Sequence, residues 1–408
     1  MLGNVMTRRG MLQVGGSAAA AALALAAKPG AALIQSGGAV RATGRPLPDG
    51  VALPQTPAGR KRADSVGFAI VGLGGYALNQ MLPRFAHAER AHVAALVSGN
   101  PEKLRRVGDA YGVPQAARYS YETFARIASD DRIDAVYVVL PSGLHAEWTI
   151  RAFDAGKHVL CEKPMALSSA DCARMIAAGR RAGRKLMIAY RSHFEPHNRE
   201  AMALMARNAV GRLRLVRAEQ SYRMGPTRPS ENWRVSRALA GGGPLEDYGI
   251  YGLQAALYLS GEMPESISAT AFRPAGDPRF AEIFAHVASQ WRFPSGAVAQ
   301  LVTSYDSAGT NLVHARGTDG ALIMDPATGY AGQKMRLEGR DARTISPGDP
   351  DVQFAGQLDH FADAIRDGTP IRTPGEMGLR DLRLIEAIYA SAASGATVRL
   401  APDGTMRA

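Results

Sequence analysis

The stretch "FAIVGLGGYALNQ" at residues 68–80 decides how the rest of the chain is read. Residues 68–71 form an apolar run without polar alternation, as a strand buried on both faces requires. Gly72-Leu73-Gly74-Gly75-Tyr76-Ala77 then makes a glycine turn that opens a helix. Glycines belong where the turn is tight and where backbone must approach a pyrophosphate, whose charge a helix N-terminus accepts. A G-x-G-x-x-A spacing is weak alone, because glycine turns between strand and helix are common. Context makes it strong. Apolar runs recur at 93–97, 135–140, 158–161 and 186–189, alternating with helical stretches at 102–111, 146–155 and 170–182. Ser168 is placed to cap the last of these helices. Apolar strands separated by helices predict a parallel sheet covered on both faces, the doubly wound nucleotide-binding plan, over residues 64–190.

Beyond residue 190 the texture changes. Residues 212–223, 265–272, 284–293 and 297–305 read as longer strands, several with period-two alternation, followed by helical stretches at 357–366 and 377–393. Strands grouped apart from helices predict an α+β domain over 191–408, built on a large open, mostly antiparallel sheet with one exposed face. There is no internal repeat.

The front of the chain is different again. Thr7-Arg8-Arg9-Gly10-Met11-Leu12 precedes a run of small and apolar residues at 15–27, too short to span a bilayer. Residues 1–32 therefore read as a cleavable export signal. The paired arginines resemble the twin-arginine type, which carries folded proteins to the periplasm; a general secretory signal that contains Arg-Arg is the alternative. Residues 33–63 hold Pro46, Pro48, Pro54 and Pro57 among glycines, with few large apolar residues, and read as an extended arm.

The net charge of +11 is dispersed among acids, with no run of five or six like charges. It tunes solubility and attraction of anions rather than marking a nucleic-acid or membrane partner. The two cysteines, Cys161 and Cys172, read as core thiols. No metal site is expected.

An NAD-binding chain would carry Asp or Glu at the end of its second strand, to hold the ribose hydroxyls. Here "ALVSGNPEK" places Ser98 at that point and Lys103 five residues on. A hydroxyl and a cation suit a 2′-phosphate, which a carboxylate would repel. The reading is NADP; ordinary solvated helix residues are the alternative. "CEKP" puts Lys163 at the end of a buried strand, where a lysine must be paired or functional. "GGGPLEDYGIYGLQ" places Asp247 and Tyr251 four apart at a helix start, on one face. Lys, Asp and Tyr converging on a nicotinamide make a proton-transfer set, since a tyrosine needs a neighbouring cation to take a hydroxyl proton near neutral pH. From spacing alone, a core tyrosine and a helix-capping aspartate fit equally well. His145, in "PSGLHAEW", is given a positioning role.

Together the glycine loop, Glu162-Lys163-Pro164 and the Asp247-x-Gly-x-Tyr251 segment resemble the family of glucose–fructose oxidoreductase and inositol dehydrogenase. The resemblance is nearest to its glucose–fructose and aldose–aldose branch. It extends through "TPAGR", "YALNQ", "LVSGN", "HAE", "GKHV", "WRV", "AGGGPLEDYGIY" and "MDPATGY". It implies an enzyme that oxidises an aldose at C1 to a lactone and reduces a second sugar to an alditol, on a tightly held NADP. Lys163, Asp247 and Tyr251 would be catalytic. Cofactor contacts would come from Gly72, Leu73, Gly74, Gly75, Tyr76, Ser98, Gly99, Lys103, Tyr121, Leu140, Pro141, His145, Glu162, Lys163, Arg191, Trp233, Arg234 and Tyr330. It further implies a homo-oligomer, dimer or tetramer, in which the arm covers the dinucleotide site of a neighbouring subunit. Much of the family has histidine where this chain has Tyr251. The chain also departs from glucose–fructose oxidoreductase at Glu246, at Tyr248 and in "YRMGPTRPSEN" (residues 222–232), which puts fructose as the acceptor in doubt. The competing readings are a sugar dehydrogenase that exchanges its NADP, an NAD-dependent glycosidase and a non-enzymatic sensor.

Overall fold

The computed structural model describes residues 47, 51–53 and 64–407. The expected export signal, and most of the expected arm, lie outside the described residues. Leu47, Val51 and Leu53 are half-buried against the core.

The first six strands are β1 (Val66–Val71), β2 (Ala91–Val97), β3 (Arg118–Tyr119), β4 (Ala135–Val138), β5 (His158–Cys161) and β6 (Leu186–Ile188). They form one parallel sheet in the order β3-β2-β1-β4-β5-β6, as a doubly wound dinucleotide fold demands. The strands are apolar because helices cover both faces; every residue of β1 is buried. The connecting helices begin where the sequence supplies caps. After a π turn at Ala77–Met81, α1 (Leu82–Arg84) continues the helix that the glycine loop opens. Asn100 caps α2 (Pro101–Ala110), accepting from the Lys103 N–H at 2.8 Å, with Pro101 in the first turn. α3 (His145–Asp154) follows β4. Ser168 caps α4 (Ser169–Ala182), which ends on Gly183 in the left-handed conformation.

The second half contains α5 (Pro196–Ala206), β7 (Leu213–Arg223), α6 (Arg237–Ala240), α7 (Ile250–Ser260), β8 (Ser266–Phe272), β9 (His286–Arg292) and β10 (Val298–Ser304). β11 (Asp306–Gly317), β12 (Gly320–Met324), β13 (Met335–Gly339), β14 (Arg343–Ile345), α8 (Val352–Asp367), α9 (Gly375–Ser394) and β15 (Val398–Arg399) complete it. Nine strands make a sheet in the order β14-β13-β12-β11-β7-β10-β9-β8-β15. All its pairs are antiparallel except β7 with β10. Helix α7 packs on β7 and α9 on β8, so β9 and β10 alternate buried with exposed residues. One face is left open, as the alternation predicted.

Two features were not anticipated. The hairpins β11 to β14 went unread because β11, "DSAGTNLVHARG", is polar and glycine-bearing and alternates cleanly only towards its end. In addition, α8 returns to the first sheet: it packs on β1 and β2, and Phe361 meets Phe68 with ring centroids 6.2 Å apart. Cys161 and Cys172 are both buried free thiols. Among the described residues, no helix is long and apolar enough to cross a membrane and no side-chain group could hold a metal ion.

Strand register creates the site. Val71 lies opposite both Val97 and Val138, and Val138 opposite Cys161. The segments after β1, β2, β4 and β5 therefore emerge at one edge of the sheet, where ligands of open α/β sheets bind.

Candidate active site

The glycine loop occupies the centre of that edge. Gly72 has φ +100°, and a Cβ there would stand 2.4 Å from the Val139 carbonyl oxygen, so only glycine fits. At Gly74 a Cβ would meet nothing within 4 Å, and at Gly75 only the Asn79 side chain at 4.0 Å. Those two residues are exposed at the mouth of a helix whose N-terminus has no side-chain cap. A dinucleotide diphosphate fits this cradle. At the end of β2, Ser98 and Lys103 belong to one turn, linked through Asn100. Lys103 is 6% exposed and donates to the Leu73 carbonyl at 3.0 Å, which brings its ammonium onto the glycine loop.

Across the crevice stands the turn Leu245–Gly249 that leads into α7. Lys163, just past β5, donates from Nζ to the Asp247 carbonyl at 2.6 Å and to its Oδ1 at 3.1 Å. The other carboxylate oxygen accepts from Arg234 Nε at 3.1 Å and from the Tyr305 hydroxyl at 2.8 Å. Burial alone would raise the Asp247 carboxyl, but Lys163 and Arg234 outweigh it and hold the group well below the usual carboxylate range. Burial likewise opposes the charge on Lys163, and its neighbours Tyr251, Asp247 and Glu162 keep it protonated. Tyr251 lies beside this pair, its ring centroid 5.0 Å from Lys163 Nζ. Its hydroxyl is held by a different cation: Arg191 Nε donates to it at 3.0 Å.

The three residues expected to be catalytic thus lie together. Behind them, Glu162 accepts from the Tyr137 hydroxyl at 2.5 Å and sits in a buried site that raises its carboxyl. Tyr76 and Tyr330 approach each other at 6.2 Å, with Arg191 stacked 4.7 Å from Tyr330. Arg234 stacks on Trp233 at 4.6 Å while binding Asp247, so it braces the aspartate. Tyr121 packs on Trp148 at 4.9 Å, and Gly99 follows Ser98 in the turn. His145 places Nδ1 2.8 Å from the Pro164 carbonyl and Nε2 2.8 Å from the Leu140 carbonyl. It ties the segment after β4, including Pro141, to the turn that presents Lys163, which is a positioning role. The Arg191–Tyr251 and Tyr305–Asp247 contacts were missed. The family resemblance placed Arg191 in the site as a cofactor contact without naming Tyr251 as its partner. Nothing in the sequence pairs Tyr305 with Asp247.

Glu246, next to Asp247, is buried, accepting from the Gly242 N–H at 2.7 Å and the Tyr389 hydroxyl at 2.8 Å. Burial pushes its carboxyl up to about 7. A carboxyl raised on folding keeps its proton after the unfolded chain has lost it, so stability falls as pH rises from about 4.5 to about 7 and levels above. The difference is worth about 3 kcal/mol at 1.36 kcal/mol per unit. Glu246→Gln is expected to flatten that slope in denaturant melts across this window. Parallel slopes in both proteins would mean that Glu246 is ionised in the fold.

A family model described as "Oxidoreductase family, NAD-binding Rossmann fold" matches residues 66–190, and one described as "GFO/IDH/MocA C-terminal domain" matches 198–323. The chain belongs to the GFO/IDH/MocA oxidoreductase family. Its sequence is 31% identical to D-xylose 1-dehydrogenase (NADP(+)) 2 of Haloferax volcanii, over 82% of this chain and 99% of that protein. It is 29% identical to D-xylose 1-dehydrogenase [NADP(+)] of Haloarcula marismortui, over 82% of this chain and 93% of that one. Among solved structures, aldose–aldose oxidoreductase from Caulobacter crescentus is similar, with 48% identity and a TM-score of 0.80. That match covers 82% of this chain and all of the other. The GFO/IDH/MocA chain described here is thus an oxidoreductase with a dinucleotide-binding Rossmann sheet.

Proposed function

We propose that this enzyme is a periplasmic, NADP-containing sugar oxidoreductase that works by alternation. The observation that carries the reading is the convergence of Lys163, Asp247 and Tyr251 on the sheet edge that holds the glycine cradle. The 48% identity to an aldose–aldose oxidoreductase and the likeness to NADP(+)-dependent xylose dehydrogenases support sugar and NADP. The 2′-phosphate is assigned to Ser98 and Lys103. The nicotinamide, when bound, supplies a hydride acceptor. Tyr251 takes the proton of the anomeric hydroxyl of an aldose, whose product is a lactone. It returns the proton to the oxygen of a second, open-chain sugar, whose product is an alditol. Asp247, kept ionised, binds sugar hydroxyls and holds Lys163 in register. The signal at residues 1–32 sends the folded protein out, and the arm segment 41–62 closes over the dinucleotide site of a neighbouring subunit. A retained cofactor needs no external pool.

Denaturing the purified protein and assaying the supernatant tests the reading: close to one NADP per chain is expected. Cofactor-free protein would favour the second reading, a dehydrogenase that exchanges NADP, which the xylose dehydrogenases support. The arm is tested separately. Deleting residues 33–62 from a form lacking the signal is expected to let NADP escape on dialysis. Two-sugar turnover should then fall on dilution and recover with added NADP. A truncated protein that keeps its cofactor would place the lock in the phosphate and nicotinamide pockets instead.

A further inference from the structure

Arg191 is 4% exposed, and none of its hydrogen bonds goes to a carboxylate. One Nη donates to the Gly329 carbonyl at 2.8 Å and to Gln353 Oε1 at 2.7 Å, and the other to the Thr328 carbonyl at 2.6 Å. Its Nε donates to the Tyr251 hydroxyl at 3.0 Å, and the guanidinium carbon lies 4.6 Å from that ring's centroid. Neutral partners thus fix the guanidinium plane, and the only ionisable group it bonds is Tyr251. A buried cation without a counter-ion favours whichever neighbour can become an anion. Because the tyrosine oxygen accepts from Arg191, its own proton turns away from the guanidinium. Among the described residues it meets no acceptor, which leaves it for a substrate.

The other charged or titratable groups around Tyr251 act less directly. Lys163 faces the ring from the end of β5, but its two hydrogen bonds go to Asp247. Asp247 is itself spent on Lys163, Arg234 and Tyr305. Tyr76, Tyr330 and Tyr248 face it from the glycine-loop helix, the segment after β12 and its own helix start; burial raises all three hydroxyls, so they stand neutral around it. Glu162 lies behind Lys163.

We propose that Arg191 is the positioning residue that readies Tyr251 for proton transfer, while Lys163 acts mainly on Asp247. This rests on the reading of Tyr251 as the proton acceptor. The test is the pH dependence of aldose oxidation, with NADP content and melting measured on each protein. In Arg191→Gln, and in Arg191→Met as a neutral replacement of different shape, the half-plateau pH is expected to rise by about one unit or more, the scale set by a charge in hydrogen-bond contact. Arg191→Lys, which restores the charge, should bring it back towards wild type. A folded neutral variant that retains NADP and keeps the wild-type half-plateau pH overturns the proposal and returns the role to Lys163. If Tyr251→Phe keeps full activity, the functional reading fails instead, and the two failures are distinct.

Discussion

Tyr251→Phe is expected to lose about a hundred-fold or more in two-sugar turnover while retaining its NADP, the usual scale for removing a general acid–base group. The substitution deletes one oxygen and leaves the ring, with Lys163 and Arg191 5.0 and 4.6 Å from its centroid. The Asp247 bridge to Lys163 does not involve that oxygen, nor does the glycine cradle. Binding and folding should survive and chemistry should not. On the proposed mechanism both half-reactions should fall together, because one hydroxyl would serve the oxidised sugar and the reduced one. Cofactor content after gel filtration, with single-turnover rates for each half-reaction, reads this out. Near-wild-type rates would remove Tyr251 from the mechanism and leave proton transfer to Lys163 or a water.

Lys103→Glu is expected to weaken NADP about ten- to a hundred-fold more than NAD, since a hydrogen bond to a charged group is worth about 1.5–3 kcal/mol. The lysine stem is buried, and its ammonium rests on the Leu73 carbonyl of the glycine loop. On the proposed placement a carboxylate there would repel the 2′-phosphate of NADP, whereas the free ribose hydroxyl of NAD could donate to it. Titrating each dinucleotide into protein stripped by unfolding and refolding separates the two. Equal loss for both would mean that Lys103 supports the loop without reading the phosphate.

The dinucleotide half was legible because local signals and tertiary demands agree there. "FAIV" is apolar throughout since β1 is buried on both faces, and Gly72 is glycine because φ and the Val139 carbonyl allow nothing else. Asp247 and Tyr251 could be paired from spacing, and the turn before α7 with the first residues of α7 does bring both beside Lys163. What could not be read depends on chain segments that meet only in three dimensions. Arg191 and Tyr251 are 60 residues apart, and Asp247 and Tyr305 58 apart, with no periodicity linking them. The polar β11 hides its pairing, since its inward positions are few. The return of α8 to the first sheet follows from Phe361 meeting Phe68, a match that no local pattern encodes.

The central claim is that one retained NADP shuttles hydride between two sugars. The direct measurement is to incubate dialysed full-length mature protein with an aldose alone, without added dinucleotide, and to quantify both products. The account predicts many turnovers per chain, with aldonate (from the hydrolysed lactone) and alditol formed in equal amounts. Product that stops at one equivalent per chain, or appears only when NADP is supplied, would contradict it.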